Sequence, residues 1–211
     1  MSVLALDIET KNMSHEIGGF GNTHMFQVST VATWDGSNGT VYVDEQVNDF
    51  AKSGHIIKPL RQLKYDLDDA FQKGTQLLGH NIGAFDLPIL RDSMDIYCIN
   101  KFIKEGQYID TSRVLLKEHK ERFQLKNLVK CTMNDSKLME SADAPKLWKM
   151  GQFNEVVEYC MKDTQLVYDL WKHGKDNGFI KAFSIEKGEH KELEVDWWWQ
   201  VGNGLACLFS L

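Results

Sequence analysis

Four acidic side chains and one tyrosine, set in three short segments far apart in the chain, carry most of its potential chemistry. Asp7 and Glu9 lie in V-L-A-L-D-I-E-T, Asp86 in G-H-N-I-G-A-F-D, and Tyr159 with Asp163 in Y-C-M-K-D. Each acid stands in or beside an apolar run, where an ionised carboxylate is costly unless a cation compensates it. If the three segments converge, the fitting compensation is a pair of hard divalent cations with oxygen ligands. The chemistry of such a site is metal-assisted cleavage of a phosphodiester.

Taken singly, each motif also has a plain structural reading. Residues i and i+2 of a strand point to one face, so Asp7 and Glu9 project together. Two like charges that close raise each other's pKa unless a cation holds them. A D-x-E pair also marks many solvated strand ends. Asp86, at the start of a helix, serves equally well as an N-cap, although Phe85 sets it in a segment that reads as buried. Tyr159 and Asp163 are four apart on a helix, on one face and adjacent turns. A local Tyr–Asp hydrogen bond fits that spacing, and so does a metal ligand beside a hydroxyl that orients water.

The elements that must position these groups follow from hydrophobic period and punctuation. Val3 to Ile8 predicts a buried strand. Phe26 to Trp34 and Thr40 to Val43, joined by D-G-S-N-G, predict a hairpin. Leu60 to Lys73 predicts an amphipathic helix with Leu60, Leu63, Leu67 and Phe71 inward, stopped by Gly74. Thr75 to Gly79 reads as a short strand, followed by a helix from Asp86 that tolerates Pro88 in its first turn. Tyr108 to Asp110 reads as a strand, Arg113 to His119 and Leu125 to Thr132 as short helices. Phe153 to Lys172 is the strongest helix, with Val156, Val157, Cys160, Thr164, Val167 and Trp171 inward and Gly174 and Gly178 ending it. Glu192 to Trp197 returns as a last strand. The expectation is one α/β domain over residues 1–211, a central mixed sheet flanked by helices. Residues 3–178 bear the motifs, and 179–211 form a C-terminal strand and apolar tail.

In this order and these settings the three segments resemble the motifs of DEDD-type 3′–5′ exonucleases, which have a ribonuclease H-like fold. L-A-L-D-I-E-T is similar to the first motif, G-H-N-I-G-A-F-D-L-P-I-L to the second, and Y-C-M-K-D-T-Q-L to the third. The last two are similar to the proofreading domains of family B DNA polymerases and their stand-alone relatives. The histidine branch of the family places His five residues before the last acid; here that residue is Glu158, and Tyr159 stands four before it. The resemblance therefore implies the tyrosine branch, leaves His80 without the role of base and makes Glu158 a solvated helix residue.

It further implies that Asp7, Glu9, Asp86 and Asp163 hold two Mg²⁺ or Mn²⁺ ions and that Tyr159 orients the attacking water. Leu6, Thr10, Asn81 and Phe85 become candidates for contacting the terminal nucleotide, with plain core packing the first reading of Leu6 and Phe85. The implied substrate is the 3′ end of single-stranded DNA or RNA. An inactive nucleic-acid or protein binding module, and an internal nuclease of the same fold, are the alternatives.

Composition is consistent with an enzyme of that kind: 211 residues, 43% hydrophobic, 26% charged, three prolines and a formal net charge of −6. That charge argues against coating long nucleic acid through a broad basic surface. It does not oppose an acidic pocket whose sign bound metals invert. Lys117, Lys120, Arg122, Lys126 and Lys130 cluster modestly and read as a solvated helix face. Cys98, Cys131, Cys160 and Cys207 are too widely spaced for a zinc site and read as reduced thiols. With no targeting segment ahead of the first strand, the expected location is the cytoplasm. The apolar stretch around Trp197, Trp198 and Trp199 and from Leu205 to Leu211 is too short and interrupted to span a bilayer. It is expected to close the core or meet a partner protein.

Overall fold

The computed structural model describes residues 2–44, 54–139 and 142–197. Its main sheet has six strands: β1 (Val3–Thr10), β2 (Val28–Trp34), β3 (Gly39–Val43), β4 (Ile56–Pro59), β5 (Gln76–Gly79) and β6 (Tyr108–Asp110). Their order across the sheet is β4-β3-β2-β1-β5-β6. β1, β2 and β3 form an antiparallel meander, whereas β5 and β6 run parallel to β1, so the expected mixed sheet is what forms. The parallel half sets the site: the carboxyl ends of β1, β5 and β6 emerge along one edge, where ligands gather in open α/β sheets.

Helices cover both faces. Between the strands lie α1 (Leu63–Gln72), α2 (Asp86–Ser93) and α3 (Ile99–Lys104). After β6 come α4 (Thr111–His119), α5 (Leu125–Met133), α6 (Ala144–Lys149) and the 25-residue α7 (Phe153–Asn177). The strand period of two sorts β1 between two cores. Leu6 and Ile8 pack with Leu63, Leu67, Leu87 and Phe102 on one side. Val3 and Ala5 pack with Val114, Leu128, Val167 and Leu170 on the other. Asp7 and Glu9 share the parity of Val3 and Ala5, so they point to the face that α7 covers.

Two expectations at the C-terminal end need correction. Gly174 does not end the long helix, which continues to Asn177 and is capped by Gly178 in the left-handed region. A Cβ at Gly174 would stand 2.7 Å from Trp197 Nε1 and 2.8 Å from its Cζ2, so this glycine lets the indole lie against the helix backbone. The last strand, β8 (Glu189–Glu194), does not join the main sheet. It pairs with β7 (Phe179–Ser184), absent from the sequence reading, in a separate antiparallel hairpin. Asn127 and Thr132 on α5 each exchange paired hydrogen bonds with the β7 backbone, at Phe183 and Lys181, which satisfies that strand's outer edge. Trp197 is buried in the core beside α7. Trp198, Trp199 and the apolar tail lie outside the described residues. Among the described residues no helix is long and apolar enough to cross a membrane.

Candidate active site

The strand-to-helix turn after β5 shows how local sequence places an acid. Asn81 adopts φ 69°, a left-handed conformation that asparagine tolerates better than most residues. The turn is clasped by Asp110 at the end of β6, whose carboxylate accepts from the amides of Asn81 (2.9 Å), Gly83 (3.0 Å) and Arg113 (3.1 Å). Asp110 thereby caps α4 and fixes the start of the segment leading to Asp86. Asp86 is the first residue of α2 and not its N-cap, which is Phe85; its Oδ1 accepts from the Ile8 amide at 3.2 Å, reaching over to β1.

α7 crosses β1 and β2 and brings the third motif to the same place. Tyr159 is fully buried and its hydroxyl is hydrogen-bonded to Asp163. At the next residue, the Cys160 thiol donates to the Asp7 carbonyl oxygen at 3.5 Å. Glu158 is exposed. His80 has both ring nitrogens engaged, Nδ1 with Thr111 Oγ1 at 2.9 Å and Nε2 with the Phe123 carbonyl at 3.0 Å. Burial lowers its pKa, and the two contacts make it a strut between the β5 turn, α4 and the Phe123 segment.

Asp7, Glu9, Asp86 and Asp163 line one cavity of about 910 Å³. Burial and mutual repulsion both act on them. Asp7 is pushed well above the usual carboxylate range by desolvation and then by Asp86, Glu9 and Asp163. Glu9 is raised by desolvation and Asp163. Asp86 is raised to about 8, chiefly by burial, with its own amide and that of Ile8 pulling the other way. Asp163 is raised by burial, against the opposing pull of Lys137 and Tyr159.

Lys137 has no counterpart in the sequence reading. Its Nζ lies 2.5 Å from Asp163 Oδ2 and 5.2 Å from the centre of the Tyr159 ring. It comes from the polar loop between α5 and α6, where nothing local distinguishes it from any surface lysine. Asp110 was more accessible: an Asp between a strand and a helix is an N-cap signal. Its grip on the second motif depends on the β5–β6 register, which places Gly79 opposite Asp110.

Of the candidate nucleotide contacts, Thr10, Asn81 and Phe85 line the cavity. Leu6 does not; it is buried in the core beneath β1. With side chains as placed, no group of three or more His, Cys, Asp or Glu among the described residues is arranged as a metal site. The donor set nevertheless fits hard divalent cations. All donors are carboxylate oxygens, and Asp163 Oδ1 is buried with no hydrogen-bond partner. The cation now among the acids is Lys137.

No curated protein matches the chain. A family model, that of the RNase H superfamily, matches residues 4–182, which takes in all three motifs, the main sheet from Leu4 onward and the first four residues of β7. By that match the chain belongs to the RNase H superfamily.

Proposed function

We propose that the protein is a metal-dependent exonuclease that hydrolyses phosphodiester bonds from the 3′ end of single-stranded nucleic acid, DNA before RNA. The observation that carries this reading is that Asp7, Glu9, Asp86 and Asp163 line one cavity, with Tyr159 hydrogen-bonded to the last of them. Superfamily membership supports a nuclease-type or nucleic-acid-binding function, and nucleases of this superfamily generally use divalent metals. A module that only binds has no need of four carboxylates held together against burial and repulsion.

In this reading Asp7, Glu9, Asp86 and Asp163 would hold two Mg²⁺ or Mn²⁺ ions. When bound, such a pair lowers the pKa of an attacking water and stabilises the leaving 3′ oxygen. Tyr159, anchored by packing on every side, aims its hydroxyl at the edge of the acid cluster and orients the water there. Lys137, paired with Asp163, serves as internal counter-ion to the acids. Asn81, Phe85 and Thr10 form the wall against which the terminal nucleotide rests.

The test is incubation of 3′-labelled and 5′-labelled oligonucleotides, DNA and RNA in parallel, with Mg²⁺ or Mn²⁺. The expected result is stepwise shortening from the 3′ end with release of mononucleotides. Internal products, or equal degradation of a closed single-stranded circle, would replace the proposal with an internal nuclease. Retention without cleavage would leave a binding module.

A further inference from the structure

The cavity extends well beyond the acids. At about 910 Å³ it lies at the upper end of the roughly 300–1,000 Å³ that drug-sized ligands fill, enough for more than one nucleotide. Its walls come from both sides of the main sheet and differ in character.

One wall is aromatic. Phe20, Phe26 and Phe85 form a cluster with ring centroids 5.6–6.5 Å apart. Phe26 is buried and anchors the group, whereas Phe20 is 68% exposed on the cavity margin. It sits in the turn G-G-F-G, with Gly18 and Gly19 at φ +81° and +118°. That backbone holds a large apolar ring out in water beside the acids.

Another wall carries two cations beside Glu121, which is itself paired with Lys191 at 3.0 Å. In the segment from Arg122 to Lys126, Phe123 and Leu125 are buried in the core while Arg122 and Lys126 are exposed and line the cavity. Lys117, Lys120 and Lys130 are not part of that lining. The basic cluster of the sequence is thus split by the fold, and two of its members share the cavity with the acids.

We infer that these walls form a track for the unpaired strand upstream of the scissile bond, with Phe20 stacking on a base and Arg122 and Lys126 gripping phosphates. The inference rests on the exonuclease reading above. Single-stranded nucleic acid suits both walls at once, since an unpaired base offers a free π-face and its backbone a regular run of negative charge. Duplex hides the one while keeping the other.

The experiment measures KM for a single-stranded 12-mer with wild type, Phe20→Ala, Phe20→Trp and Arg122→Ala/Lys126→Ala. Anisotropy of the same labelled oligonucleotide is measured in Ca²⁺. Phe20→Ala should weaken KM and binding about tenfold, within the stacking range for one base, and Phe20→Trp should restore both. The penalty should shrink as the substrate is shortened to a dinucleotide and vanish when one upstream base is replaced by an abasic residue. The double basic variant should flatten the salt dependence of binding. Phe20 is exposed, so unchanged melting temperature separates these effects from misfolding. Binding by Phe20→Ala equal to wild type, or preference for duplex, would overturn the track. If wild type binds in a Phe20-dependent way but cleaves nothing, the exonuclease reading falls and the track stands.

Discussion

Lys137 Nζ and Asp163 Oδ2 are 2.5 Å apart, in a cavity that Asp7, Glu9 and Asp86 also line. One half-buried cation therefore sits among a cluster of acids. Replacing it with Met leaves the cluster uncompensated and strips Asp163 of a charged partner, at a cost of about 1–3 kcal/mol. Asp7→Asn removes an acid that burial and its neighbours hold well above the usual carboxylate range, and should leave metal-free stability equal or higher. Urea unfolding in EDTA at pH 7.5 checks the contrast. A Lys137→Met protein as stable as wild type would show that the pair contributes nothing.

The raised acids fix the sign of the pH dependence. Asp86 binds its proton up to about 8 in the folded chain, against a reference value of 3.8. Between those values the folded state carries more protons than the unfolded one, so stability falls as pH rises. Asp7 and Glu9, raised in the same direction, add to the slope. Melting temperature in EDTA should therefore increase from pH 8 to pH 5. Saturating Mg²⁺ or Mn²⁺ should stabilise the protein most at the high end and flatten the curve. A metal-free protein equally stable across that range would contradict the burial of these carboxylates.

Asp110 is expected to act on the site without touching substrate. Its carboxylate accepts three backbone amides, two of them from the turn that carries Asn81. Asp110→Ala leaves those donors without a partner, at about 2–4 kcal/mol in stability. Asp110→Asn keeps one good acceptor and should lose less. Nuclease activity of the folded variants, at a temperature well below melting, should follow the same order. Full activity and stability in the Ala variant would remove Asp110 from any part in setting the second motif.

At Gly174 two opposing effects meet, and their magnitudes decide the sign. Alanine in a helix interior gains up to about 1 kcal/mol over glycine. Here the added methyl would stand 2.7–2.8 Å from Trp197 and Val195, an overpacking cost of roughly 1–3 kcal/mol. Gly174→Ala is therefore expected to destabilise, and Trp197→Leu in the same chain to recover part of the loss. A stabilised Gly174→Ala protein would mean that Trp197 packs elsewhere.

Elements with a strong local signal were legible in the sequence. The apolar strand of Val3 to Ile8, the stripe of Leu63 and Leu67, and the long helix from Phe153 all form as period and punctuation predict. The mixed sheet followed from their alternation. Gly174 misled because glycine in a helical pattern signals an end, and only the buried Trp197 explains its place inside. β7 is hard to read because Phe179 to Ser184 is short and carries Phe179 and Phe183 on its outward face, which blurs the alternation, and the strand's edge depends on Asn127 and Thr132 from α5. Lys137 was invisible for a related reason. Its burial is set by what surrounds it in space, and the polar loop around it in sequence points to solvent.

Tyr159 and Glu158 test the register of the third motif. The two side chains are adjacent in sequence, yet about 100° of helix rotation puts Tyr159 in the core against Asp163 and Glu158 in solvent. Tyr159→Phe deletes one hydroxyl and its hydrogen bond, so folding and metal binding should be nearly intact. If the hydroxyl orients the attacking water, cleavage should slow by roughly 10²–10⁴-fold, the usual range for such a group. Glu158→Gln should leave the rate within twofold, which for an exposed side chain away from the cavity is about 0.4 kcal/mol. Single-turnover rates on a 3′-labelled oligonucleotide compare the three proteins. A Tyr159→Phe enzyme at wild-type rate reduces the tyrosine to packing, and a dead Glu158→Gln enzyme moves the base one residue toward the amino terminus.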